Sequence, residues 1–178
     1  YFLGLLPLLA LSTLIMVLTS PYRKERLLTF LNPENDPLGA SYHIRQILLA
    51  LGSGGLFGVG LGQSRQKYLF LPEPMTDSIF AIIGEELGFI GATAVLVAFI
   101  FVVWRGLNIA GQTHDPFGKL LALGITVWIG IQAFINIAAM VAIIPLTGLP
   151  LPFISYGGSS LIVMLAGVGM LLNISKHR

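Results

Sequence analysis

Five long apolar runs constrain this chain more than any other feature: residues 1–18, 44–61, 87–104, 120–144 and 159–174 carry almost no charge. About 18 apolar residues wound as a helix cross a hydrocarbon core of about 30 Å, where every backbone N–H and C=O must find a partner inside the protein. The expected fold is therefore all-α, a polytopic bundle of transmembrane helices forming one transmembrane domain over residues 1–178. The second and fifth runs have the least margin, the second because Gly52, Gly54, Gly55, Gly58 and Gly60 crowd it. Composition agrees, since only 10% of the residues are charged. Soluble domains carry roughly a quarter, so this chain has too little polar surface to coat a particle in water.

Several function classes fall away at once. Without cysteine there are no disulfides, thiolate metal sites or thiol nucleophiles. A net charge of +2 reflects loop charges that set orientation, so no nucleic-acid partner is expected. His43, His114 and His177 are scattered, which gives no histidine metal site. Tyr1 opens inside an apolar run with basic residues after it, unlike a signal peptide. The expectation is the C-terminal part of a longer protein.

Alternating the five runs across a bilayer places Arg23, Lys24, Arg26, Arg45, Arg105, Lys119, Lys176 and Arg178 on one side, and only Arg65 and Lys67 on the other. The positive-inside rule then makes the C-terminus cytoplasmic and turns loops 62–78 and 145–158 outward. The inner loop 20–42 is punctuated by Pro21, Pro33 and Pro37. It reads as a connector, with Leu27, Leu28, Phe30 and Leu31 on a short helix at the membrane surface.

The first outer loop holds Arg65, Lys67, Glu73 and Asp77 beside the apolar Tyr68-Leu-Phe-Leu, stiffened by Pro72 and Pro74. A stiff, charged, interfacial loop suits a polar head group on a lipid tail. Asp77 precedes a helical pattern beginning at Ile79. It serves either as a helix N-cap, a role Thr76 fills equally well, or as a general base, since aspartate is ionised at neutral pH. The two roles are compatible. Glu85 and Glu86 lie inside the next helix, where isolated charge is costly. Positions 77, 81 and 85 share one face, so Glu85 is either a paired structural acid or a companion of Asp77. Glu73 reads as a solvated loop acid.

The second outer loop, Pro145-Leu-Thr-Gly-Leu-Pro-Leu-Pro-Phe-Ile-Ser-Tyr-Gly-Gly-Ser-Ser, has no charge. Ser155, Tyr156, Ser159 and Ser160 with the amides of Gly157 and Gly158 form either an anion-binding rim at the last helix or a tight re-entrant turn. Gln132 and Asn136 share a helix face, as glue between helices or as the lining of a polar cavity. The glycines of the second run read as close packing, because no phosphate-loop lysine accompanies them.

Three stretches taken together resemble one family: Gly52-Ser-Gly-Gly-Leu-Phe-Gly-Val-Gly-Leu-Gly-Gln-Ser, Leu71-Pro-Glu-Pro-Met-Thr-Asp-Ser-Ile-Phe-Ala-Ile-Ile-Gly-Glu-Glu-Leu-Gly, and the second outer loop just quoted. They look like the SEDS proteins (shape, elongation, division and sporulation), whose members include FtsW and RodA. The wording leans toward FtsW or its sporulation relative. The resemblance covers nearly the whole chain. It implies a ten-span enzyme of the bacterial cytoplasmic membrane, with the last five spans here. Such a protein polymerises lipid II, an undecaprenyl-pyrophosphate-linked disaccharide pentapeptide, into glycan strands. It works beside a class B penicillin-binding protein, the cross-linking transpeptidase, and other divisome or elongasome membrane proteins.

On that reading Asp77 matches the family's essential outer-loop aspartate and is the catalytic base of an inverting glycosyl transfer. Arg65, Lys67, Glu73, Thr76, Glu85, Ser155, Gly157 and Ser159 make up the substrate-binding set. Charge on the pyrophosphate leaving group is met by Arg65 or Lys67, by backbone amides, or by a divalent ion such as Mg or Mn. Where the family usually has His-Thr-Asp-Phe, this chain has Met75-Thr76-Asp77-Ser78. The histidine is gone and the aspartate is kept. The span opening Tyr42-His-Ile-Arg-Gln also departs from the family's wording. Competing readings are a lipid II flippase, for which broken glycine-rich helices are suited, and a non-catalytic scaffold for the transpeptidase.

Overall fold

Helices supply all the regular structure in the computed structural model, which describes residues 7, 11–12, 19–31, 40–64 and 76–176. In chain order they are α1 (Pro21–Leu31), α2 (Ala40–Ser53), α3 (Ile79–Gln112), α4 (Pro116–Met140) and α5 (Gly158–Lys176). Nearly all of the first apolar run lies outside the described residues. The chain forms two units, Tyr1–Arg45 and Gln46–Arg178. In the first, α1 is the expected short helix, with Leu27 and Leu28 exposed and Thr29 buried. It starts with proline, whose missing N–H is no loss in a first turn.

Three helices, α3, α4 and α5, are long and apolar enough to cross a membrane. Only 11% of the apolar window of α3 is buried inside the protein, so most of that window is left to face lipid or further protein. The helix holds 34 residues, about 50 Å at 1.5 Å per residue, longer than the bilayer core. It therefore starts well before the apolar run at 87, and it is broken at Gly88 (φ 69°, ψ −165°). Asp115 caps α4 by accepting from the Gly118 amide at 2.6 Å, with Pro116 following it.

The second apolar run does not continue as a helix to residue 61. α2 stops at Ser53, and residues 54–62 proceed as turns. The reason lies in the backbone of α3. In an unbroken helix the Phe89 and Ile90 amides would donate to the Glu85 and Glu86 carbonyls. Here they donate to the Gly55 and Leu56 carbonyls at 2.9 and 3.3 Å. The Glu85 and Glu86 carbonyls accept instead from the Val59 and Gly60 amides at 2.9 and 3.1 Å. Those two amides are, in turn, the ones Gly55 and Leu56 would hold in a continuous α2. Two interrupted helices thus exchange their hydrogen bonds, so the break leaves none of these eight groups unpaired where unpairing is most costly.

Such contact requires backbone against backbone. A Cβ on Gly54 would overlap the Gly84 carbonyl oxygen, and one on Gly58 the Glu86 carbonyl oxygen. The core packs around this junction. Ile47 and Ala50 of α2, Phe80, Ala81 and Ile82 of α3, Ala133, Ala139 and Met140 of α4, and Leu151 form one buried cluster. At the other end Ile125 and Ile129 of α4 bury Met164 of α5.

Candidate active site

The two loops assigned to one membrane face by charge do meet, at the C-terminal end of α4. Asn136 is 1% exposed. Its carboxamide nitrogen donates to the Asp77 carbonyl at 2.9 Å and to the Leu149 carbonyl at 2.7 Å. One turn earlier, Gln132 donates to the Pro150 carbonyl at 2.9 Å. Of the two roles open to this pair, the contacts are those of glue, and the glue joins helix to loop backbone.

Asp77 is half-buried. Its carboxylate oxygen accepts from the Thr76 hydroxyl at 3.3 Å and the Ser78 hydroxyl at 3.4 Å, both long for O–H···O bonds. Among the described residues no amide and no cation engages it. The N-cap of α3 is Ser78, with no side-chain capping bond. Asp77 therefore does not cap the helix, because it lies one residue too early. Among the described residues most of its acceptor capacity is uncommitted.

Glu85 points to a different partner. It is 3% exposed and accepts from the hydroxyl of Ser64 at 2.5 Å. Ser64 is itself buried. This bond staples the start of the first outer loop to the first part of α3, ahead of the break. Ser64→Ala is expected to destabilise the protein by about 0.5–1.5 kcal/mol, the net worth of one hydrogen bond. Thermal unfolding in detergent measures it. Sequence reasoning gave Ser64 no role; the only signal was a hydroxyl closing a glycine run, with a buried acid to be satisfied elsewhere.

The second outer loop is a turn anchored at Leu151 and Pro152, with a cavity beside it. Leu151 and Pro152 are fully buried, and the Ser155 hydroxyl accepts from the Leu151 amide at 2.7 Å. Ser155, Tyr156, Gly157 and Gly158, with Ile79 and Ile82 of α3, line a cavity of about 430 Å³. It places the amino end of α5, which carries partial positive charge, three residues along the chain from Ser155. Thus Ser155 and Gly157 share a wall with the first turn of α3, just after Asp77. Ser159 is exposed in the first turn of α5 and lies outside that lining. Arg65, Lys67, Glu73 and Met75 fall outside the described residues. Among the described residues no three His, Asp or Glu side chains converge to hold a metal.

Comparison with known proteins gives the family. The model for the FtsW/RodA/SpoVE cell cycle proteins matches residues 1–178. Stage V sporulation protein E of Bacillus subtilis is 54% identical over 97% of this chain and 47% of its own length. The probable peptidoglycan glycosyltransferase FtsW of Geobacter metallireducens is 47% identical over 99% of this chain and 47% of its own. This chain therefore spans about half the length of the curated relatives it matches. A solved peptidoglycan synthase complex, in which polymerization and crosslinking are coordinated, contains a chain that superposes with a TM-score of 0.71 at 29% identity. That match covers 99% of this chain and 48% of that one. A variant of the rod shape determining protein RodA of Thermus thermophilus gives a TM-score of 0.57 at 33% identity, over 74% of this chain and 40% of that one. With the motifs, the helical fold and the spanning helices in agreement, this multi-pass membrane chain belongs to the FtsW/RodA/SpoVE family of cell cycle proteins.

Proposed function

We propose that this chain carries the catalytic centre of a peptidoglycan glycosyltransferase, which polymerises lipid II into glycan strands at the outer face of the bacterial cytoplasmic membrane. One observation carries the proposal. The Asp77 carboxylate has no capping bond, no amide and no cation among the described residues, while its backbone is held by a buried side chain. A carboxylate relieved of structural duty on a fixed backbone is suited to be a general base. The relatives named as peptidoglycan glycosyltransferases supply the reaction class.

In the transfer, Asp77 takes the proton of the acceptor sugar's 4-hydroxyl as that oxygen bonds to the anomeric carbon of the growing lipid-linked strand. The bond from that carbon to the pyrophosphate breaks, and the lipid pyrophosphate leaves with the electron pair. Attack from the opposite side inverts the anomeric centre. Arg65, Lys67 and the amides at the start of α5 are the groups of this chain suited to the leaving charge. The solved synthase complex, which coordinates polymerization with crosslinking, supports a cross-linking partner, for which a class B penicillin-binding protein is our reading, and the charge bias supports a cytoplasmic C-terminus.

The exchange between α2 and α3 also suits a transporter, since discontinuous helices commonly line transport paths. Purified intact protein with its partner, in detergent with lipid II, separates the two. Glycan polymer is expected there, where no bilayer exists to cross. No polymer, together with lipid II movement in liposomes, would establish the flippase.

A further inference from the structure

Two carbonyl oxygens from loops far apart in sequence converge on one buried nitrogen. Asn136 and Asp77 are 59 residues apart, Asn136 and Leu149 13 apart. A carboxamide nitrogen carries two protons, and both carbonyls are engaged. The carboxamide oxygen of Asn136 is buried with no partner among the described residues. An amide serving only to satisfy itself in an apolar site would pair both ends; this one commits its donors to the loops and leaves its acceptor bare.

The mount is rigid. Ala133, Ala138, Ala139 and Met140 around it on α4 are all at most 3% exposed. Gln132 gives the second loop another anchor at Pro150. It does not reach Asp77, whose carbonyl depends on Asn136. From Leu149 the position is passed on by the turn in which the Leu151 amide donates to Ser155, and so to the cavity wall at Ser155 and Gly157.

We infer that Asn136 is a positioning residue, holding the backbone of Asp77 in register with the turn that carries Ser155 and Gly157. This rests on Asp77 being the base, and the test keeps the two claims apart.

The chain has no cysteine, so a Thr76→Cys, Leu149→Cys pair in the intact protein, freed of any cysteine elsewhere, reports the distance between the loops. A short bis-maleimide is expected to join the pair readily in the parent and much more slowly with Asn136→Leu or Asn136→Ser added. In the cysteine-free protein each Asn136 variant should lose about 10²-fold in kcat with little change in KM for lipid II, the signature of misplacement by an ångström or so. Gln132→Leu loses a similar bond one turn away and should cost far less in kcat. Two variants guard against one that fails to fold, which size-exclusion profiles reveal. A parent pair that does not cross-link, an unchanged cross-linking rate in a folded variant, or a wild-type kcat in one overturns the inference. Strand synthesis retained by Asp77→Asn sinks the base assignment instead, and the cross-linking rates still decide whether Asn136 holds the loops together.

Discussion

Asp77→Asn in the intact protein, assayed with its partner on lipid II, is expected to lower kcat for strand synthesis by at least about 10²–10⁴-fold, the range general-base assistance supplies. The substitution changes little else. Asparagine keeps the shape and an oxygen that can accept from the Thr76 and Ser78 hydroxyls, the contacts the carboxylate makes now. Asn136 holds the backbone carbonyl of residue 77, which the substitution leaves in place. Stability should therefore stay within about 0.5 kcal/mol of the parent, as for other half-exposed sites without a structural partner. Loss of rate with unchanged unfolding is the combined result that marks a base. A variant that polymerises near-normally would show that Asp77 has another duty. One that unfolds more readily would show a structural contact that the geometry at 2.9 Å and beyond does not account for.

How much of this was legible in the sequence depends on whether the partner groups are near each other along the chain. The spans α3, α4 and α5 follow from local hydropathy, and the Asp115 cap with Pro116 is a local pattern too. Glu85 reads only as an acid in an awkward place, because its partner Ser64 lies 21 residues away. The capping role open to Asp77 turned on a single residue of register, with Ser78 the actual N-cap. Hydropathy fails most clearly at residues 54–61. Leu56, Phe57, Val59 and Leu61 make that stretch look like membrane helix. Its glycines, and the backbone groups of residues 85–90, decide otherwise. No pattern within a window of one helix reports that Gly55 will accept a hydrogen bond from Phe89.

That exchange gives the largest expected effect on stability, at Gly88. Its φ of 69° and ψ of −165° lie in a region essentially restricted to glycine, where another residue is strained by about 1–3 kcal/mol. Space is missing as well as freedom. A Cβ would sit on the Gly58 amide nitrogen and 2.6 Å from the Leu56 carbonyl oxygen. Neither can retreat without opening the bonds from Ile90 to Leu56 and from Val59 to Glu85, each worth about 0.5–1.5 kcal/mol net. Gly88→Ala should therefore cost at least about 3 kcal/mol in unfolding measured in detergent. Gly52 provides the contrast, since it lies within α2 with open space around its Cβ position. Gly52→Ala should be neutral or stabilising by about 0.5–1 kcal/mol, the ordinary preference of a helix for alanine. Because Ser64 and Glu85 tie the outer loop to the short arm of α3 before the break, Gly88→Ala should also depress strand synthesis, while Gly52→Ala leaves it intact. Equal stability of the two variants would mean that the junction gives way easily and does not hold the loop carrying Asp77.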